Sequence, residues 1–101
     1  MRDTRAMHVV YMLASRPFGA LYVGETSSLS HRLDQHCSGR GSVHTAKYEI
    51  TTLVWYRVFE TRADARDFER RLKRWRRRWK EALIAEINPN WQDLSTSIHD
   101  H

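Results

Sequence analysis

The sequence predicts an α+β domain with the element order β-β-α-β-α-α. Two apolar segments, 8–14 and 20–25, flank the turn cluster SRPFG, which is typical of a β-hairpin. The segment 52–59, TLVWYRVF, has the strongest strand signal in the chain, so we expect it to form the central or most buried strand. Apolar residues at helical spacing elsewhere predict three helices.

The three predicted helices cover 29–37, 62–75, and a segment from residue 76 or 77 to 86. A Thr-Ser-Ser run precedes the first helix and Thr61 precedes the second, and both supply N-cap side chains. The Asn-Pro pair at 88–89 ends the third helix. The expected apolar stripes are Leu29, Leu33 and Cys37 in the first helix, Ala65, Phe68, Leu72 and Trp75 in the second, and Trp79, Leu83 and Ile87 in the third.

The charge of the chain favours an anionic partner. The net charge is +5 with an isoelectric point near 9.9, and nine basic residues lie between Arg66 and Lys80 against two acids. Such a block attracts polyanions, which means nucleic acid or an anionic membrane surface. A solvated helix face is the simpler alternative for the same run.

Cysteine content and hydropathy exclude other classes of protein. Cys37 is the only cysteine, so the chain forms no internal disulfide and has no CxxC zinc motif. This usage is typical of a reducing compartment, and we expect a cytoplasmic protein. The apolar run at 9–14 is too short for a signal peptide or a membrane span. A metal site in the tail at His99 and His101 is a weak candidate, because histidines at a chain end are usually solvated.

Four polar residues of the hairpin and the first helix could act together. Folding about the turn brings Tyr11 and Tyr22 close to one another on neighbouring strands, although a one-residue slip would separate their faces. Arg32 and His36 lie one helical turn apart and flank the buried stripe of the first helix. Each residue alone has an ordinary explanation in packing or surface pairing.

Glu69 is the acid that stands out in the arginine-rich helix. It borders the buried stripe, and such an acid is a candidate metal ligand. The alternative is an ion pair on the helix surface with Arg66 or Lys73.

Six motifs in this order resemble the GIY-YIG nuclease superfamily, in particular its small, single-domain bacterial branch. They are VVY at 9–11, YVG at 22–24, ETSSLSHRLDQH at 25–36, GRGSVHTAKY at 39–48, ARDFERRLKRW at 65–75 and INPNWQDLS at 87–95. The first motif departs from the family, because Val9 and Val10 stand where the family has glycine and isoleucine. The resemblance implies one nuclease domain over 1–94, followed by a polar, mobile tail at 95–101.

The resemblance implies a three-stranded antiparallel sheet flanked by helices, an α/β sandwich, and a metal-dependent endonuclease. Glu69 would hold one Mg²⁺ or Mn²⁺ ion per active site. Arg32 would bind the non-bridging oxygens of the scissile phosphate. Tyr11, its pKa lowered by nearby cations, or His36 would accept a proton, and Tyr22 would orient the phosphate or a water.

The partner implied by the resemblance is nucleic acid, most simply DNA, bound by its backbone or its structure. The expected nucleic-acid-binding residues are Arg40, Lys47, Arg70, Lys73, Arg74 and Arg77. By analogy with the family's terminal asparagine, Asn88 is an additional polar contact. Asn90 is the alternative candidate for that position. The chain would be a monomer or weak homodimer, and a protein partner could supply specificity. Two alternatives stay open: a binding module of the same fold that does not cut, and a membrane-surface or interaction domain built on KRWRRRWK.

Overall fold

A computed structural model describes residues 7–37 and 50–96 of the chain. The strands are β1 (His8–Ala14), β2 (Leu21–Thr26) and β3 (Thr52–Phe59), and the helices are α1 (Leu29–Cys37), α2 (Arg62–Arg74) and α3 (Arg77–Ile87). The order is the predicted β-β-α-β-α-α, and every boundary lies within one residue of the prediction. No helix within the described ranges has the length and apolar character needed to cross a membrane.

The sheet is antiparallel with the strand order β2-β1-β3, so β1 is the central strand. The expectation that β3 is central was wrong. Six of the seven residues of β1 are buried, whereas the second half of β3 exposes Arg57 and Val58. The stretch VVYMLA in β1 has no charged side chain and can be covered on both faces, whereas Arg57 in β3 needs water.

Helices cover both faces of this sheet. Alternate residues of each strand point to opposite faces, so β1 contributes Val9, Tyr11 and Leu13 to one face and Val10, Met12 and Ala14 to the other. The first face packs against Leu29 and Leu33 of α1. The second packs against Ala65 and Leu72 of α2 and against Leu83 and Ile84 of α3. The expected sandwich of a three-stranded antiparallel sheet between helices is confirmed.

The N-cap of α2 is the predicted one. The backbone of Thr61 is extended, and its side-chain Oγ1 accepts a hydrogen bond from the Asp64 N–H at 3.1 Å. This bond satisfies a backbone donor of the first turn that has no partner inside the helix.

The buried stripe of α3 differs from the prediction. Leu83 and Ile84 are buried, whereas Trp79 and Ile87 are 50% and 56% exposed. Trp79 instead packs edge-to-face on Trp75, with ring centroids 6.3 Å apart. An amphipathic helix can pack on a sheet through either of two neighbouring rows of side chains. The extended backbone at Trp75 and Arg76, between α2 and α3, orients α3 so that the row with Leu83 and Ile84 faces the sheet.

The segment after α3 is anchored by a buried asparagine. Asn88 Nδ2 donates to the carbonyls of Val54 at 3.0 Å and Gln92 at 2.8 Å, and its Oδ1 accepts from the Gln92 N–H at 3.0 Å. Trp91, at a left-handed φ of 55°, fills the core beside it. Sequence reasoning placed Asn88 at the site and left Trp91 out of the core. The structure shows that both donors of the Asn88 amide bind backbone carbonyls.

Replacing Asn88 with alanine should destabilise the fold. Three hydrogen bonds disappear and the buried Val54 carbonyl loses a donor, so the free energy of unfolding should fall by about 2–4 kcal/mol. Urea unfolding measures this loss. The exposed neighbour Asn90 provides the matched control, and Asn90→Ala should change stability by less than about 0.5 kcal/mol. Equal losses in both variants would contradict the anchoring role.

Candidate active site

The ring of Tyr11 crosses β2 directly over Gly24. The two residues are register partners in the β1–β2 ladder. A Cβ atom built on Gly24 would lie 2.5 Å from both Cζ and Oη of Tyr11, far inside contact distance. Glycine is therefore the residue that lets the Tyr11 hydroxyl pass over this strand. Sequence reasoning placed Gly24 in a motif but gave it no role, although a glycine inside a strand signals a close approach.

Gly24→Ala should impair the site by moving Tyr11. The added methyl group requires a shift of the ring or of β2, at a cost of about 1–3 kcal/mol in stability. A displacement near 1 Å typically costs on the order of 10²-fold in rate. Thermal melting and a cleavage assay on the same preparation measure both effects. Unchanged cleavage by Gly24→Ala would show that the position of Tyr11 is unimportant.

Tyr22 lies on the same face of the sheet as Tyr11. It pairs with Leu13 rather than directly with Tyr11, which makes the two tyrosines diagonal neighbours. Their ring centroids are 6.3 Å apart at an interplanar angle of 42°. The predicted proximity of the two tyrosines is confirmed, with Tyr22 one diagonal step along the strand.

Arg32 reaches the same site from α1. The helix begins after a turn in which Thr26 Oγ1 accepts a hydrogen bond from the Ser28 N–H at 3.0 Å. One turn later the Arg32 side chain is half-buried and lies close enough to the Tyr11 hydroxyl to lower the pKa of that group. The backbone of His36 continues α1, but its side chain lies outside the described part of the structure.

The electrostatics of Tyr11 show which groups share the site. Burial raises the pKa of Tyr11 above its usual range, and Tyr22 adds to this increase. The charge and hydrogen bond of Arg32 oppose it, and Glu69 raises it slightly further. The expectation that neighbouring cations lower this pKa is wrong for the residues described, because burial outweighs Arg32. Tyr11, Tyr22, Arg32 and Glu69 are nevertheless close enough to interact.

Glu69 enters the site from α2. Its side chain is 21% exposed and one carboxylate oxygen lies 2.9 Å from Nζ of Lys73, whose side chain is 54% exposed. The surface pairing considered for this acid is thus present, with Lys73 as the partner. An exposed lysine holds a carboxylate weakly and can leave it.

The donor set suits a hydrated divalent ion. Among the described residues no group of three or more histidine, cysteine, aspartate or glutamate side chains could enclose a metal. Mg²⁺ usually keeps several waters and binds through one or two carboxylates together with substrate phosphate. A single carboxylate, Glu69, within electrostatic reach of the Tyr11 hydroxyl fits that mode of binding.

Comparisons with known proteins agree with this geometry. The family model described as the GIY-YIG catalytic domain matches residues 7–82. The chain belongs to the GIY-YIG family. A UPF0213 protein of Bacillus pumilus is 35% identical over 80 residues, covering 79% of this chain and 81% of the relative. A UPF0213 protein of Pectobacterium carotovorum is 35% identical over 68 residues, covering 67% and 69%. The solution NMR structure of a UPF0213 protein from Bacillus halodurans is 29% identical, with a TM-score of 0.54, over 86% of this chain and 92% of that one.

Val9 stands where the GIY-YIG family has glycine, and the structure shows how a valine fits there. Its side chain is buried beside Tyr11, and its backbone pairs with Thr26 on one side and Val58 on the other. The first position of the motif therefore lies in a regular strand with room for a branched side chain. With valine at this position, Tyr11 pairs in register with Gly24 of β2 and Tyr56 of β3.

The basic residues of this GIY-YIG domain have different environments. Arg70 and Arg74 are exposed on α2, and Arg70 lies 3.8 Å from the exposed Asp67. Lys73 pairs with Glu69 at the site itself. Arg40 and Lys47 lie outside the described residues.

Arg77 makes contacts that serve the fold. Its Nη2 donates to the carbonyls of Phe18 at 3.1 Å and Gly19 at 2.6 Å, and its Nε donates to Glu81 at 2.8 Å. The guanidinium group also lies 5.9 Å from the ring of Trp91. Arg77 therefore ties the β1–β2 turn to the start of α3, a role that its place in a basic run did not reveal.

Proposed function

We propose that this chain is a metal-dependent endonuclease that hydrolyses phosphodiester bonds in DNA. The observation that carries the proposal is the buried Tyr11 hydroxyl, whose pKa is influenced by Arg32, Tyr22 and Glu69 at close range. These four side chains come from β1, β2, α1 and α2, and packing alone does not require such a polar set. The GIY-YIG family is a nuclease superfamily, which supports the same reaction class.

The residues of the site match the needs of phosphodiester hydrolysis. The guanidinium of Arg32 is a planar, permanently charged donor that can bind two non-bridging phosphate oxygens at once. The hydroxyl of Tyr22 orients the phosphate or the attacking water. A Mg²⁺ or Mn²⁺ ion, one per site, would be held by Glu69 and would supply positive charge at the scissile phosphate.

The proton acceptor is either Tyr11 or His36, and a pH profile separates them. A base with a raised pKa is mostly protonated at neutral pH, so its active form increases about tenfold per pH unit below that pKa. With Tyr11 as the base we expect the single-turnover rate to keep rising from pH 7 to pH 9, and His36→Gln to retain the rise. A plateau near the usual histidine pKa of about 6.5, lost in His36→Gln, would instead assign the role to His36.

Recognition of DNA would rest on backbone contacts. Arg70 and Arg74 are exposed on the helix that carries Glu69, and Arg40 and Lys47 follow α1 in the sequence. Contacts of arginine and lysine with phosphate position a duplex but carry no sequence information. We therefore propose cleavage directed by the structure of the substrate rather than by a base sequence.

The test is cleavage of a labelled panel by the purified chain. The panel holds single strand, duplex, flap, four-way junction and RNA, each with Mg²⁺, Mn²⁺ or EDTA. We expect metal-dependent cleavage of at least one DNA structure and little cleavage of RNA. Salt-sensitive binding without cleavage of any substrate would overturn the nuclease proposal in favour of a binding module.

A further inference from the structure

A cavity of about 190 Å³ opens beside the candidate active site. Its lining residues are His8, Glu25, Thr26, Ser27, Arg32 and Arg62. His8 begins β1, Glu25 and Thr26 end β2, and Arg62 begins α2, so the cavity lies at one end of the β1–β2 ladder. Arg32 is shared by the cavity and the active site, which makes the two spaces neighbours.

The side chains around the cavity favour an anion. Two arginines, Arg32 and Arg62, face one acid, Glu25, so the formal charge of the wall is positive even with His8 neutral. Among the described residues, no carboxylate lies within 4.0 Å of either guanidinium group. A divalent cation would meet two arginines here, whereas a phosphate group would meet two donors that lack a carboxylate partner.

His8 adds a buried polar atom without a hydrogen-bond partner. Its Nδ1 is inaccessible to solvent, and no hydrogen-bonding group of the described residues reaches it. The nearest acid oxygen, Oε2 of Glu25, lies 3.9 Å away, beyond hydrogen-bond distance. Because this atom is shielded from solvent, the donors in the wall that a bound anion could reach are those of Arg32 and Arg62.

The spacing along α2 relates the cavity to the cleavage site. Arg62 and Glu69 are seven residues apart, which places them on the same face of the helix about 10 Å from each other along its axis. One strand of B-DNA rises roughly 3.4 Å per nucleotide along its axis, so a span of this length covers at most about three nucleotides.

We propose that this cavity binds a second phosphate of the strand that is cut. This phosphate is not itself cleaved and lies within three nucleotides of the scissile phosphate. Arg62 is its main donor, and Arg32 contacts both phosphates. The inference rests on the proposed endonuclease function and adds a second anchoring point to it. Two fixed phosphates would set the direction and register of the strand across Glu69.

Equilibrium binding tests Arg62 without requiring catalysis. Binding of a labelled DNA from the panel is followed by fluorescence anisotropy in EDTA between 50 and 200 mM salt. We expect Arg62→Gln to weaken binding about tenfold, as loss of a charged hydrogen bond does. The slope of log K against log salt should fall by about 0.7–0.9, the value for one phosphate contact.

Arg71→Gln is the matched control on the same helix. Arg71 lies nine residues from Arg62, about 2.5 turns away, and therefore on the opposite face. Its Nη2 is paired with Asp67 at 2.7 Å. Binding by Arg71→Gln should stay within about twofold of the wild type. Equal weakening in the two variants would overturn the proposal, because it would show a general charge effect. Thermal melts of both confirm folding.

A substrate scan locates the phosphate. Each phosphate within three nucleotides of the cut is replaced in turn by a neutral methylphosphonate. At one position the methylphosphonate should slow cleavage by the wild type about tenfold. The same replacement should leave cleavage by Arg62→Gln unchanged, because the arginine that contacts this phosphate is already missing. Identical scans for the two proteins would overturn the subsite while leaving the nuclease assignment intact. If the wild type cuts nothing, the proposed function fails, and the anisotropy comparison still decides whether Arg62 contacts a phosphate.

Discussion

Replacing Glu69 with glutamine is expected to abolish metal-dependent cleavage. The amide keeps the size and shape of the side chain but loses the negative charge that a hard divalent cation requires. Loss of a residue that only hydrogen-bonds to a metal ligand typically lowers metal affinity or activity about 10–100-fold. Loss of the only proposed protein ligand should therefore lower the cleavage rate more than about a hundredfold. Cleavage rates across a Mg²⁺ or Mn²⁺ titration measure the effect, and excess metal should fail to restore the wild-type rate.

The same substitution should leave the fold of the domain intact. The ion pair that Glu69 makes with Lys73 is a partly exposed i,i+4 pair, and such pairs contribute roughly 0.3–0.5 kcal/mol. Asp67→Asn is the matched control, because Asp67 pairs with Arg71 at i+4 on the same helix but is exposed. Asp67→Asn should therefore cleave like the wild type. A fully active Glu69→Gln protein would remove Glu69 from the metal site.

Arg32→Gln is expected to lower the single-turnover rate by about 10²–10³-fold, the typical cost of one preorganised donor at a developing charge. The glutamine keeps some hydrogen-bonding capacity but neither the charge nor the fork of guanidinium donors. The change also removes the charge and hydrogen bond that limit the pKa of Tyr11, which should then rise further. Rates at saturating protein separate this chemical effect from weaker binding.

Two further variants define the role of Arg32. Arg32→Lys restores a charge without the planar fork, so its rate should lie between those of Arg32→Gln and the wild type. Arg78→Gln removes one charge from an exposed position on α3 and should cost less than about threefold through general electrostatics. A rate for Arg32→Lys equal to that of the wild type would show that charge alone is needed.

Local signals accounted for much of the architecture. The hairpin turn, the Thr61 cap and the helical spacing set the element boundaries to within one residue, because these features depend on near neighbours in the chain. The resemblance of six motifs to the GIY-YIG superfamily likewise pointed to Tyr11, Tyr22, Arg32, His36 and Glu69. Residue types and their order along the chain carry this information.

Non-local contacts decided the rest. Only strand pairing shows that β1 is central and that Tyr11 faces Gly24, because register joins residues that lie far apart in sequence. The inward ridge of α3 and the anchoring of Asn88 to Val54 depend on how helices dock on the sheet. The direction of the Tyr11 pKa depends on burial outweighing one nearby cation, and burial is a property of the assembled core. The amino-acid sequence by itself determined the elements and the chemical groups of this protein, and tertiary packing decided the neighbours of those groups and the direction of the Tyr11 pKa.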